Sequence, residues 1–461
     1  MITKDEIDSK ALEFGIHRAN VQRDYVFGWL LCGVYSATAL RDQLILKGGN
    51  CFRKAYFPTT RFSQDLDFST TSGIDPAFVL DEFKKACAFA QERSGVQFDL
   101  ERSRIELQGE LDKERRVFDV RLYFNDFYGD ADHITIRVSI DITEFDRVFL
   151  PVETRRIIHP YSDADLCDGS VCCLKLEEML AAKLKCLLQR RHTGDLYDLV
   201  YAIFVNREIA VDRSQVITTF FRKTIYERSP GAAKQLLLDL PLATLRTAWE
   251  RYIVAPIQGV LDFDLALSEF RNAIGVLFDG WPSADRGARA FFPSHLREPI
   301  MTAGADFRLL RVTYDGVTRD VEPYSLVYKR RQDGHAEEYL YVYDRSGGRR
   351  TPPGLKTFVN GKIRDLVILD EKFEPQYPVE LAKAGETSGR PFFGGGSGRS
   401  RHPRSRRIRA LRHGWRYTVQ CSYCSRTFKR MRRTTRLKPH KNSYGSPCYG
   451  RAGMIVNQEL V

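Results

Sequence analysis

The chain has 461 residues, 43% hydrophobic and 28% charged, with 71 Lys and Arg against 59 Asp and Glu. That length implies two or three domains with ample core, and the composition excludes a disordered or fibrous chain. The longest useful apolar run, Phe27 to Leu40, has 14 residues, too few to span a bilayer. The start MITKDEIDSKALEFG has neither the basic start nor the apolar core of a signal peptide, so a cytoplasmic protein is expected, with no membrane partner. Seven of the ten cysteines lie among apolar neighbours in the first 190 residues and read as reduced core residues. The positive charge is local: 18 Lys and Arg and no Asp or Glu lie between Arg390 and Arg451, and the rest of the chain is mildly acidic.

In chain order, Phe27 to Leu40 reads as a buried helix. Residues 44 to 69, LILKGGNCFRKAYFPTTRFSQDLDFS, carry the chemistry. An apolar strand ends in Lys47, Gly48 and Gly49, a helix follows from Asn50, and a second strand presents Asp65 and Asp67. Alternate strand residues share a face, so both carboxylates can meet one divalent ion. A Gly-Gly turn entering a helix offers unpaired N–H groups to a triphosphate. This is the layout expected of a metal-dependent nucleotidyltransferase.

Further strands are expected at VFDVRLYF and ITIRVSIDIT. In the latter Ile136, Val138 and Ile140 alternate with Arg137, Ser139 and Asp141, which makes Asp141 the candidate third carboxylate. A long helical stretch runs from Leu174 through Phe204. Within it Asp195 and Asp198 fall one turn apart, on one face. The texture to residue 285 is α+β: a small mixed sheet flanked by helices.

Between Asp306 and Leu381 short aromatic and β-branched runs alternate with D-G, G-G and N-G turns, which predicts a small mostly-β domain over 290–385. Residues 386–413 are rich in Gly, Ser, Arg and Pro and predict a flexible basic linker. In 414–461, Cys421-x-x-Cys424 forms half of a tetrahedral zinc site, with His440 and Cys448 as the other half at a looser spacing.

The passages VQRDYVFGWLLCGVYSA, LILKGGN, R-x-S-x-D-L-D from Arg61 to Asp67, RVSIDIT, LEEMLAAKLKCLLQRR and DLYDLVYA occur in an order that resembles the AbiEii/AbiGii nucleotidyltransferase toxin family of the polymerase-beta-like superfamily. The resemblance covers about residues 1–285. It implies Mg²⁺ held by Asp65, Asp67 and Asp141, with Asp141 helping to deprotonate the incoming hydroxyl. An NTP would be bound through Lys47, Gly48, Gly49, Asn50, Arg61, Ser63, Lys183, Arg190 and Asp198. On the helix, Glu178, Lys183 and Arg190 match the family's E-x-x-A-x-K-L and terminal Arg, and Asp195 its essential acid. Asn50 stands where Thr or Ser is usual, and Gly194 where Arg or Lys is common. VEPYSLVYK and EEYLYVYD resemble the WYL family of SH3-like barrels, with the family's Trp either replaced by Glu338 or out of register; a module that only packs on the catalytic domain is the alternative.

The resemblance implies transfer of NMP to RNA, plausible at the 3′ end of a tRNA, in a toxin–antitoxin or abortive-infection phage defence with a cognate antitoxin. The alternatives are an enzyme that nucleotidylates protein and a non-catalytic nucleotide or nucleic-acid sensor.

Overall fold

The computed structural model describes residues 2–107, 116–128, 135–281, 290–330, 335–347, 352–377, 379–382, 415–421, 424, 426–430, 434–441, 447–448, 450 and 452–460. The chain divides into two compact units, Met1–Arg399 and Ser400–Val461. The expected linker, 386–413, lies outside the described residues.

The first unit opens with helices α1 (Lys4–Phe14) and α2 (Arg18–Ala37). Most of α2 is buried, as its uncharged apolar run requires. A seven-stranded mixed sheet follows, in the order β3-β4-β5-β2-β1-β7-β6. Its strands are β1 (Ile45–Lys47), β2 (Asp65–Ser69), β3 (Arg104–Leu107), β4 (Val117–Asn125), β5 (Thr135–Thr143), β6 (Glu153–Arg156) and β7 (Ser170–Cys173). Short helix α3 (Gly48–Cys51) follows β1 directly, and α4 (Pro76–Ser94) packs on α2.

The sheet buries one face only in the region of the site. Leu66 and Phe68 of β2, Val138 and Ile140 of β5, and Val120 and Leu122 of β4 are fully buried in one continuous core. Their odd-parity neighbours form a half-buried polar face. Strand pairing fixes which of these stand side by side: Lys47 opposite Asp67, Asp67 opposite Asp141, Asp141 opposite Asp119 and Asp119 opposite Glu106. A one-residue slip would turn every one of them into the core, so the register is strongly specified.

Helices α5 (Leu176–Gln189) and α6 (Thr193–Val200) lead into a helical layer of α7 (Arg213–Lys223), α8 (Pro230–Leu238), α9 (Arg246–Tyr252) and α10 (Phe263–Leu277). After α11 (Ser294–Ala305) comes an antiparallel five-stranded sheet, ordered β11-β10-β9-β8-β12. It comprises β8 (Arg308–Tyr314), β9 (Val317–Arg330), β10 (Ala336–Asp344), β11 (Gly354–Val359) and β12 (Ile363–Lys372), with a core of its own around Leu310, Tyr324 and Leu340. Glu338 is fully buried, ion-paired with Arg297 at 2.6 Å and accepting from the Phe292 N–H. The same Arg297 donates to the carbonyl of Leu188, and Gln189 donates to the carbonyl of Leu326 at 2.6 Å. These bonds tie the end of α5 to the second sheet, which fixes where Arg190 begins.

The second unit holds β13 (Trp415–Cys421), β14 (Thr427–Arg430) and β17 (Gly453–Leu460) in one antiparallel sheet, and the short pair β15 (His440–Lys441) and β16 (Pro447–Cys448). Its described core is Val419, Cys421, Leu437 and Cys448.

Candidate active site

Asp65 and Asp67 share the polar face of β2, and Asp141 stands beside Asp67 on the adjacent parallel strand β5. One carboxylate oxygen from each lies within 4.8 Å of the other two. Burial and then the neighbouring Asp65 charge raise the Asp67 carboxyl to about 6, against the pull of Lys47, Lys183 and Arg190. Three acids this close repel one another, and a divalent cation with oxygen ligands relieves that repulsion. The donor set therefore suits Mg²⁺.

Gly48 is in the left-handed region at φ 73°, and a Cβ there would lie 2.0 Å from Asp67 Oδ2. A Cβ on Gly49 would lie 2.7 Å from Ser63 Oγ and 2.8 Å from Arg61 Nη2. Both glycines thus let the backbone run against the carboxylate and the basic group that follow, for which only a missing side chain serves. Ser63 Oγ donates to Asp65 Oδ1 at 3.0 Å. Asn50 is fully buried and its amide donates to the backbone carbonyl of Asp65, so it latches α3 to β2. The amide contact expected with phosphate has been given to the strand instead. Lys47 Nζ reaches Asp146 Oδ2 at 2.8 Å and Thr143 Oγ1 at 3.0 Å, while remaining beside Asp67 in the sheet.

The helical acids organise cations. Asp195 and Asp198, both buried, clasp Lys183 from two sides at 2.8 and 2.9 Å. Arg190 makes a forked pair with Asp195 at 2.9 and 3.3 Å, and Arg61 a forked pair with Asp198 at 2.8 and 2.9 Å. Burial alone would lower the Lys183 ammonium, but Asp195 and then Asp198 outweigh it and hold it raised. Burial by itself would raise the Asp195 carboxyl, but Arg190 and then Lys183 overcome it and hold that carboxyl well down. Three cations on two acids leave one net positive charge beside the carboxylate cluster, in fixed geometry. Gly194 explains its own departure from the family pattern: a Cβ there would lie 2.8 Å from the Arg61 guanidinium carbon. Glu178, in contrast, is buried and accepts from the N–H groups of Phe149 and Leu150, a bracing role.

Residues 29–275, more than half of the chain, match the family model described as the nucleotidyl transferase AbiEii toxin of type IV toxin–antitoxin systems. The chain belongs to the AbiEii nucleotidyltransferase toxin family. It is accordingly a nucleotidyltransferase. The solved structures that match include MenT4, nucleotidyltransferase toxin Rv2826c from Mycobacterium tuberculosis H37Rv, at 18% identity and TM-score 0.40, over 60% of this chain and 90% of that one. No curated protein matches the chain. Among the described residues no helix is long and apolar enough to cross a membrane.

Sequence reasoning did not single out Asp119, Thr143, Asp146 or His192. His192 caps α6, its Nδ1 accepting from the Gly194 N–H at 3.1 Å, and burial holds its imidazole down to about 3. The alternation of VFDVRLYF carried a signal for Asp119, and that of ITIRVSIDIT for Thr143; nothing local marked Asp146 or His192.

In the second unit, Cys421, Cys424, His440 and Cys448 each offer a ligand atom within 4.8 Å of the rest. Tetrahedral zinc with bonds of about 2.3 Å sets its sulfurs about 3.8 Å apart, and Cys421 Sγ and Cys448 Sγ are 3.9 Å apart. His440 Nδ1 donates to the Lys438 carbonyl at 2.9 Å, which leaves Nε2, 3.4 Å from Cys424 Sγ, as the ligand nitrogen.

Proposed function

We propose that this family member transfers a nucleoside monophosphate from an NTP to the 3′ end of an RNA in an Mg²⁺-dependent reaction, with tRNA as the first acceptor to test. The reading is carried by one observation: Asp65, Asp67 and Asp141 converge within 4.8 Å directly against the Gly48 backbone. The three carboxylates would hold the metal, which when bound neutralises them and stabilises the attacking and leaving oxygens. Gly48 and Gly49 give the triphosphate close backbone approach, with Ser63 aligning Asp65. Asp141 receives the proton of the attacking hydroxyl. As the new P–O bond forms at the α-phosphorus and the bond to the β-phosphate breaks, Lys183, Arg190 and Arg61 face the charge gathering on pyrophosphate. Asp195 and Asp198 act through those cations by fixing their positions.

RNA is favoured over a protein acceptor by the basic stretch from Arg390 to Arg451 and by the zinc-ligand geometry within it, which suits a structural Zn²⁺. Unrestrained transfer would arrest growth, as in abortive phage defence, and a cognate antitoxin would hold it in check. Incubation with α-labelled NTP, total RNA and protein extract tests the proposal. Label on RNA, lost in Asp65→Ala with Asp67→Ala, is the expected result; label on protein alone would overturn the acceptor, and undiminished toxicity of that variant would overturn the enzyme.

A further inference from the structure

Lys47 is the last residue of β1 and stands opposite Asp67. Side chains directly opposite one another on neighbouring strands start about 5 Å apart, so Asp67 is an acid within reach of its ammonium. Among the described residues that ammonium bonds elsewhere, to Asp146 Oδ2 at 2.8 Å and Thr143 Oγ1 at 3.0 Å. Thr143 lies on β5, opposite Ser69, and β2 lies between β1 and β5. The lysine chain therefore crosses β2 on the polar face, at the level of the fully buried Ser69. Ser69 Oγ donates to the same Asp146 oxygen at 2.7 Å. The glycine turn leaves β1 in the other direction, toward Asp65, because β1 and β2 are antiparallel. The ammonium and the glycine turn thus lie on opposite sides of the row formed by Asp67 and Asp141.

Bringing Asp146 to this place strains the chain. Phe145, just before it, has φ 50°, and left-handed backbone disfavours a bulky side chain. The turn is held by the Asp146 N–H donating to the Thr70 carbonyl and the Thr70 N–H to the Thr143 carbonyl, each at 3.0 Å. Strain kept at one residue to deliver the next marks a position with a task. The charges around Asp67 show what that task is. Burial and the Asp65 charge push the Asp67 carboxyl up, and Lys47 is first among the cations that oppose them. The ammonium is therefore near enough to compete for that carboxylate, and a bond to another acid is what keeps it away.

We propose that Asp146 is a positioning residue of the metal site: it holds the Lys47 ammonium over Ser69 and so keeps Asp67 open to a divalent cation. This rests on the nucleotidyltransferase reading above and assigns Lys47 to the floor of the site rather than to the triphosphate. With Asp146 in place, its charge offsets that of Lys47, and the three carboxylates present their full negative charge to the ion. Without it, Lys47 falls on Asp67, and an ion has to displace an ammonium before it can bind.

The test uses the full chain without NTP and reads Mn²⁺ binding by electron paramagnetic resonance, the site being the one lost in Asp65→Ala with Asp67→Ala. Breaking one charge-assisted contact costs about tenfold or more in affinity. Asp146→Asn, which keeps an acceptor for Ser69, should therefore raise the Mn²⁺ Kd about tenfold, and Asp146→Ala at least as much. Adding Lys47→Met to Asp146→Asn should bring the Kd back near the wild-type value, because the competitor is gone. An Asp146 that only braced its turn would not be repaired by the loss of a second side chain. Lys47→Met alone should bind Mn²⁺ at least as tightly as the wild type. An unchanged Kd in Asp146→Asn, a Kd that Lys47→Met fails to restore, or weaker binding in Lys47→Met alone would overturn the proposal while leaving the metal site intact. If the wild type binds no Mn²⁺ at the aspartates, the metal reading itself fails and takes this role of Asp146 with it.

Discussion

The two clusters of metal-ligand type lie in regions of opposite physical character. Asp65, Asp67 and Asp141 stand on a sheet whose other face belongs to a core running from α1 through α10, so the acids are held in place whatever they bind. Cys421, Cys424, His440 and Cys448 stand where the described core is four residues, two of them the cysteines themselves. Small modules with metal-ligand clusters of this kind commonly depend on the metal to offset the chain entropy of ordering their strands. In the first region a metal would serve chemistry on a finished scaffold; in the second it would make the scaffold.

The comparison breaks first at zinc. Structural zinc contributes about 10 kcal/mol or more to small modules of this kind. Chelation, or Cys421→Ser with Cys424→Ser, should therefore unfold the second unit, seen as collapse of its amide dispersion in NMR. The melting transition of the first unit should remain. Survival of the second unit under chelation would show that its strands stand unaided. Next in size is Asp65→Ala with Asp67→Ala. Loss of a metal clamp is worth several kcal/mol of transition-state stabilisation, so transfer should fall about 10³-fold or more while melting temperature holds or rises, since mutual repulsion is removed. A large drop in melting temperature would erase the contrast between the regions.

Gly48→Ala should cost less and act differently. The new Cβ would meet Asp67 Oδ2 at 2.0 Å in backbone at φ 73°, and left-handed backbone costs a side chain about 1–2 kcal/mol. Stability should fall by about that amount and kcat by about 10²-fold through displacement of Asp67. Gly275→Ala, with nothing within 4 Å of its Cβ and in the last turn of α10, is the control and should stabilise by up to about 0.5 kcal/mol.

Much of the catalytic half was legible because its signals are local. Period-2 alternation put Asp65, Asp67 and Asp141 on polar faces, and the strand runs at 44–48, 65–69, 117–124 and 134–143 correspond to β1, β2, β4 and β5. The second sheet was legible from its turns. Pairing was not: that β2 lies between β1 and β5, bringing Asp67 beside Asp141, depends on contacts 74 residues apart. The same blindness hid the division of labour among charges. Asp195 and Asp198 read as one helix face, but that they clasp Lys183, Arg190 and Arg61 depends on a guanidinium arriving from residue 61. Asn50 illustrates the limit of spacing alone, since its amide faces a strand carbonyl that no local pattern reveals.

Ser63 gives the smallest effect and the finest distinction. Its hydroxyl has one proton, and that proton goes to Asp65 Oδ1 at 3.0 Å. While that bond stands, Ser63 cannot also donate to a phosphate oxygen, so its contribution lies in aiming Asp65. Removal of one such bond is worth about 1 kcal/mol. Ser63→Ala should therefore lower kcat by about fivefold with the NTP KM unchanged, and Ser63→Thr, which keeps the hydroxyl, should recover it. A rise in KM at constant kcat would mean that the hydroxyl turns to the nucleotide once the carboxylate is satisfied elsewhere.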